Sequence, residues 1–125
     1  MRTFHAEIER DLGEALRMRW RRNYSGALAV YQSMVERYPW DPRWHLKMGD
    51  VRALMGDDEG AVAQYLVAAE FYARNELWLR AARAARRALR IRGNCGIANW
   101  ILGQALERFP RCEHRDSTAH VVNAG

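Results

Sequence analysis

Lysine is almost missing from this 125-residue chain: Lys47 stands alone, and the other nineteen of twenty basic side chains are arginine. The charge is the same, but arginine's planar fork grips carboxylates in a way that a lysine ammonium does not. Cysteine is scarce too. Cys95 and Cys112 form neither a CxxC pair nor a disulfide framework, so reduced thiols and a cytoplasmic setting are expected. The three prolines, Pro39, Pro42 and Pro110, all sit where helices would begin or end. No apolar run approaches the length of a membrane span, and MRTFHAEIERDLG carries acids where an export signal needs an apolar core. No membrane partner is expected.

Catalytic signatures are missing as well. There is no phosphate-binding Gly-rich loop, no HExxH and no GxSxG. The four histidines, His5, His45, His114 and His120, are scattered. Cys112, His114 and His120 could touch a zinc ion, but three ligands in a polar tail make a poor structural site. The triplet Asp57-Asp58-Glu59 lacks the spacing of a calcium loop, and carboxylates at a helix start are explained by the helix dipole. Cys95 reads as a small filler rather than a reactive thiol. The expectation is no enzyme, no cofactor and no metal. One further absence is local: no acidic residue occurs between Glu76 and Glu107.

What the chain has is helical period. With 49% hydrophobic residues it is globular, and at this length it makes one domain or one short solenoid. Its plan is clearest from Pro42 to Asn75. Met48, Gly49 and Leu54 fall on one side of a helix, and a turn follows at Gly56-Asp57-Asp58. Ala61, Tyr65 and Ala68 then recur at helical spacing. Small residues at Gly49, Ala61 and Ala68 let two helices approach, and Tyr65 fills the space between. The same marks return 34 residues earlier, at Ala27 and Tyr31, and 37 later, at Ala98 and Leu102. Neither helix of such a unit can bury its apolar face alone, so the units must stack.

This pattern resembles the tetratricopeptide repeat family, and the chain is similar to a small bacterial three-repeat member. The matching residues are Met48, Gly49, Ala61, Tyr65 and Ala68 in the middle repeat. In the first they are Ala15, Ala27, Tyr31 and Pro39; in the third, Ala82, Leu89, Ala98, Leu102, Ala105 and Pro110. The first repeat has Glu14-Ala15 and the third Ala85-Arg86 where the family carries Leu-Gly, and Ala73 stands where the middle repeat would carry Pro. The resemblance implies an all-α, right-handed solenoid of three helix–turn–helix units, about six helices. The domain would span residues 1–110, with repeats near 8–41, 42–75 and 79–112, and leave 111–125 as a flexible polar tail.

Helix boundaries follow from the punctuation. The first helix runs from a Thr3 cap to Arg22, with Phe4 and Ile8 extending beyond the repeat frame. The second starts at a Ser25 cap and ends near Arg37. Asp41 caps a third helix that has Pro42 in its first turn and reaches Met55; the fourth runs from Asp57 or Asp58 to Arg74. The fifth covers about Glu76 to Arg92, and the sixth about Gly96 to Phe109.

In the family the first helix of each pair lines the inner, concave surface. That frame places Leu12, Leu16 and Arg19 there from the first helix, and Arg43, Leu46, Lys47, Asp50 and Ala53 from the third. Arg80, Arg83, Arg87 and Arg90 come from the fifth, at steps of 3, 4 and 3 that keep them on one face. A groove grading from apolar to basic suits an acidic peptide or helix of a partner protein. Arg43, Lys47, Asp50, Arg80, Arg83, Arg87 and Arg90 are therefore the candidate binding residues. The bland reading is a solvated charged face. The alternative function is nucleic-acid binding by the arginine-rich helix 80–92, against which stand the lack of interleaved aromatics and of any nucleic-acid motif. The family's chaperone-binding clamp for a terminal carboxylate needs polar groups where this chain has Leu12 and Leu16. On the last helix, Trp100 and Ile101 lie beyond the inward stripe and are expected to meet another protein surface, a second copy of the chain included.

Overall fold

The computed structural model describes residues 2–109, and side chains from residue 6 onward. The protein is all-α. The described residues form six helices, α1 (Arg2–Trp20), α2 (Tyr24–Arg37), α3 (Arg43–Leu54), α4 (Asp58–Arg74), α5 (Trp78–Ile91) and α6 (Gly96–Arg108). No strand occurs among the described residues. Each helix packs chiefly on those before and after it in the chain, with a lesser contact between α4 and α6. Packing dominated by chain neighbours is that of a helical-repeat stack. The expected tail, 111–125, lies outside the described residues, as do Cys112, His114 and His120.

The turns inside the first two helix pairs are built alike, 34 residues apart. Arg22 and Gly56 both take left-handed backbone, at φ 62° and 81°, reversing the chain after α1 and α3. Asn23 and Asp57 then cap the following helices, accepting from the amides of Gly26 at 3.1 Å and Gly60 at 3.0 Å. A Cβ at Gly60 would lie 2.1 Å from Asp57 Oδ2, and one at Gly26 2.6 Å from Asn23 Nδ2. Cap and glycine are one device.

Two cap expectations are thereby corrected. Ser25 lies inside α2, because Asn23 reaches the free amide first; Thr3 lies inside α1. At α3 the boundary falls at Pro42, while Asp41 Oδ1 accepts from the Arg43 amide at 3.0 Å. The fifth helix starts two residues later than expected, at Trp78, after Glu76 turns the chain at φ 60°.

Two apolar clusters run through the stack. One gathers Ala15, Ala27, Tyr31, Met34, Tyr38, Trp44, Met48 and Val51 from α1–α3, with Ile8 and Leu12 packed against it. The other joins α4, α5 and α6 through Ala61, Tyr65, Ala68, Ala69, Ala85, Ala88, Ala98 and Ile101. The core of α5 is alanine alone: Ala81, Ala82, Ala84, Ala85 and Ala88 are its buried residues. Short side chains bring α4 and α6 close to its backbone, and alanine and arginine both favour helix. Ala61 and Ala68 are fully buried, as expected.

The crossing of α3 and α4 is also close. A Cβ at Gly49 would sit 2.6 Å from Cε1 of Tyr65, so the ring lies directly on the α3 backbone. Gly49→Val is expected to push Tyr65 out of register and cost about 1–3 kcal/mol. A denaturation midpoint equal to that of the parent would contradict this packing.

Candidate functional site

The first helices of the three pairs share one surface and enclose an open cleft of about 460 Å³. Arg19 comes from α1, Asp50, Ala53 and Leu54 from α3, and Arg87, Arg90 and Ile91 from α5, with Tyr65 of α4 at its floor. Helical spacing explains the gathering: Asp50 and Ala53 are three apart on α3, Arg87 and Arg90 three apart on α5. Asp50 is the sole acid in this lining. It accepts from the Tyr65 hydroxyl at 2.6 Å, and Arg87 Nη1 approaches its two oxygens at 3.5 and 3.4 Å. Arg19 and Arg90 make no ion pair among the described residues. The cleft thus carries three guanidinium groups against one carboxylate.

Tyr31, 34 residues before Tyr65, is its counterpart in the first repeat. Its hydroxyl is buried and has no hydrogen-bond partner among the described residues. The reason lies in the same register: Leu16 occupies the place that Asp50 occupies one repeat later, and a leucine accepts nothing. Burial raises the Tyr31 pKa; Arg19 opposes that and Asp50 adds to it, so this hydroxyl feels two of the residues that line the cleft. Leu16 and Leu54 are about half exposed, and Met55 is exposed beside them. The arginines therefore stand next to apolar surface.

The remaining candidate cations lie outside the cleft, Arg43 and Arg80 among them close enough to act on Tyr72. Arg43 is expected in the groove but is held at its own helix start. Its Nε lies 3.0 Å from both Asp41 oxygens, its Nη2 2.7 Å from Oδ2, and its guanidinium stacks 5.1 Å over the Trp44 ring. Arg43 thus shares its charge with a carboxylate two residues away while its side chain stays largely exposed. Arg80 is exposed and close enough to oppose the raised pKa of Tyr72. Arg83 is exposed on α5, and Lys47 is half-buried on α3. Among the described residues Lys47, Arg80 and Arg83 make no ion pair, and none of the three lines the cleft. The expected set therefore divides into Asp50, Arg87 and Arg90 inside the cleft, joined by Arg19, and the rest outside it.

Sequence reasoning missed the part of Tyr65, which it took as volume alone. The available signal was the 34-residue register placing an inner-face acid one turn of packing from a tyrosine. It also erred on Ile101. Trp100 is 60% exposed, but Ile101 is 1% exposed and sits in the core. Adjacent residues on a helix point about 100° apart, so one faces out and the other in.

Among the described residues no cluster of three or more His, Cys, Asp or Glu could hold a metal ion, and no helix is long and apolar enough to cross a membrane. No family model matches the sequence, and no curated protein matches it. Solved structures do resemble it in fold. The type III secretion chaperone SycD of Yersinia enterocolitica, in complex with a peptide of the translocator YopD, is 18% identical with a TM-score of 0.46, over 82% of this chain and 95% of that one. The structure of the translocator chaperone SycD from the same organism gives 17%, 0.44, 88% and 86%. MamA gives 16%, 0.39, 77% and 64%. At these identities the likeness concerns the helical framework, not a site.

Three buried tyrosines, Tyr31, Tyr65 and Tyr72, yield a test. Burial is the first cause that raises Tyr31, Tyr65 and Tyr72 above the ordinary tyrosine value, and the bond to Asp50 adds to it at Tyr65. The fold favours the neutral phenol. That contribution to stability is complete below the unfolded value of about 10 and is lost as pH rises through the folded values. Denaturant midpoints are expected to fall above pH about 10, and less steeply in Tyr65→Phe. Tyrosine absorbance titrating entirely at the free value would contradict the geometry.

Proposed function

We propose that this protein is a non-enzymatic interaction module that takes an acidic segment of a partner protein into the cleft between α1, α3 and α5. The observation that carries the reading is the gathering of Arg19, Arg87 and Arg90 from two helices around one open space of about 460 Å³. Guanidinium groups with free donors bind carboxylates by paired, charge-assisted hydrogen bonds. Arg19 and Arg90, without ion pairs among the described residues, offer their forks at no internal expense. Arg87 already leans on Asp50 at 3.4 Å, a separation long enough for an incoming carboxylate to compete. Leu16 and Leu54, each about half exposed, suit a partner that alternates acidic with apolar residues, as an amphipathic helix does.

Asp50 also bears on the alternative, a nucleic-acid surface. Phosphate backbones favour a stripe of unopposed cations, whereas here a carboxylate stands at the cleft's centre. Arg43 has Asp41 beside it at 2.7 Å, which lowers the net positive charge at that point. A protein ligand with few, placed carboxylates fits better.

The test is a fluorescence titration with a peptide of interspersed glutamate and leucine, beside a DNA duplex of matched charge. Arg19→Glu/Arg90→Glu is expected to weaken peptide binding at least about 10-fold, since each charge-assisted bond contributes about 1.5–3 kcal/mol. Circular dichroism should be unchanged. Equal binding by parent and variant would overturn the proposal. Tighter binding of the duplex, with a steep salt slope, would transfer the function to nucleic acid.

A further inference from the structure

We propose that two copies of this chain pair through the outer groove between α4 and α6. This groove, about 310 Å³, is walled by Glu70, Ala73 and Arg74 of α4 and by Ile97 and Trp100 of α6, with Ile101 beneath. It shares no residue with the basic cleft. Trp100 is 60% exposed, Ile97 50% and Val67 45%. Val67, Glu70 and Arg74 are spaced by three and four on α4 and so share one face. Large apolar side chains that are clustered and open to water mark a contact surface, and tryptophan is the residue that most often anchors one.

Charge identifies the occupant. Glu70 and Arg74 are four residues apart, in the order that favours a pair along the helix, yet they form none among the described residues. An acidic partner would be repelled by Glu70 and a basic one by Arg74. A twofold contact needs a patch that complements itself. Two copies set antiparallel across this groove meet that need: Trp100 and Ile97 of each enter the apolar centre, and Glu70 of one faces Arg74 of the other on both sides. The pairing leaves both basic cleft linings uncovered.

Sedimentation of the full chain, from micromolar to hundreds of micromolar, tests this. The parent is expected to form a dimer. Trp100→Glu should weaken it at least about 100-fold, as loss of a central interface tryptophan does. Trp100 is a surface residue, and unchanged helicity would show the variant folded. Arg74→Glu should weaken the dimer, and Glu70→Arg/Arg74→Glu should restore it. Arg90→Glu should leave it intact. A monomer throughout the range would overturn the proposal, whether residues 110–125 or an unrelated protein then covers the groove. So would a dimer indifferent to Trp100→Glu, or a charge exchange that fails to restore pairing.

Discussion

The ring of Tyr65 lying on the bare backbone of Gly49 is the constraint from which the rest of the structure follows. No side chain larger than hydrogen fits at Gly49, where a Cβ would fall 2.6 Å from the ring. The contact sets the crossing of α3 and α4, and it also aims a hydroxyl. The Tyr65 oxygen reaches Asp50, the next residue on α3, at 2.6 Å. Asp50 in turn draws Arg87 of α5 towards the same point. One packing event in the middle repeat thereby fixes a carboxylate and a guanidinium at the heart of the cleft.

The arginines owe their places to the alanines behind them. With Ala81, Ala82, Ala84, Ala85 and Ala88 buried, α5 is held close between its neighbours, and its longer side chains have only the open side to occupy. Thirty residues without an acid then leave Arg80, Arg83 and Arg90 without an ion pair among the described residues. Stability and charge display are therefore written into one helix. The apolar side chains supply the packing, and the charged ones add little to it, because exposed ion pairs contribute little.

Much of this was legible in the sequence. Helical period on both sides of each turn, with recurrence at 34 and 37 residues, leads to six helices in the right order. It also leads to the burial of Ala61 and Ala68 and to a shared surface for Asp50, Arg87 and Arg90. What escaped depends on distances shorter than a helical period resolves. Whether Arg43 faces a ligand or folds onto Asp41 is settled by side-chain rotation, although the two-residue spacing was visible. Ser25 and Asn23 are both good caps, and the backbone at Arg22 decides between them. Trp100 and Ile101 are neighbours in sequence, and a small rotation of α6 determines which one faces water. The orphaned hydroxyl of Tyr31 needed both registers at once: a tyrosine conserved in position between repeats, and an acid replaced by Leu16.

The central claim is that Arg19, Arg87 and Arg90 act as one carboxylate-binding group, apart from arginines such as Arg37 and Arg43 that pair with carboxylates of the fold. Side-chain Nε–Hε signals, followed by NMR during titration with the glutamate–leucine peptide, test it most directly. Arg19, Arg87 and Arg90 should move together with one affinity, while Arg37 and Arg43, held by Asp11 and Asp41, stay in place. Shifts spread evenly over all arginines, or absent from these three, would contradict the account.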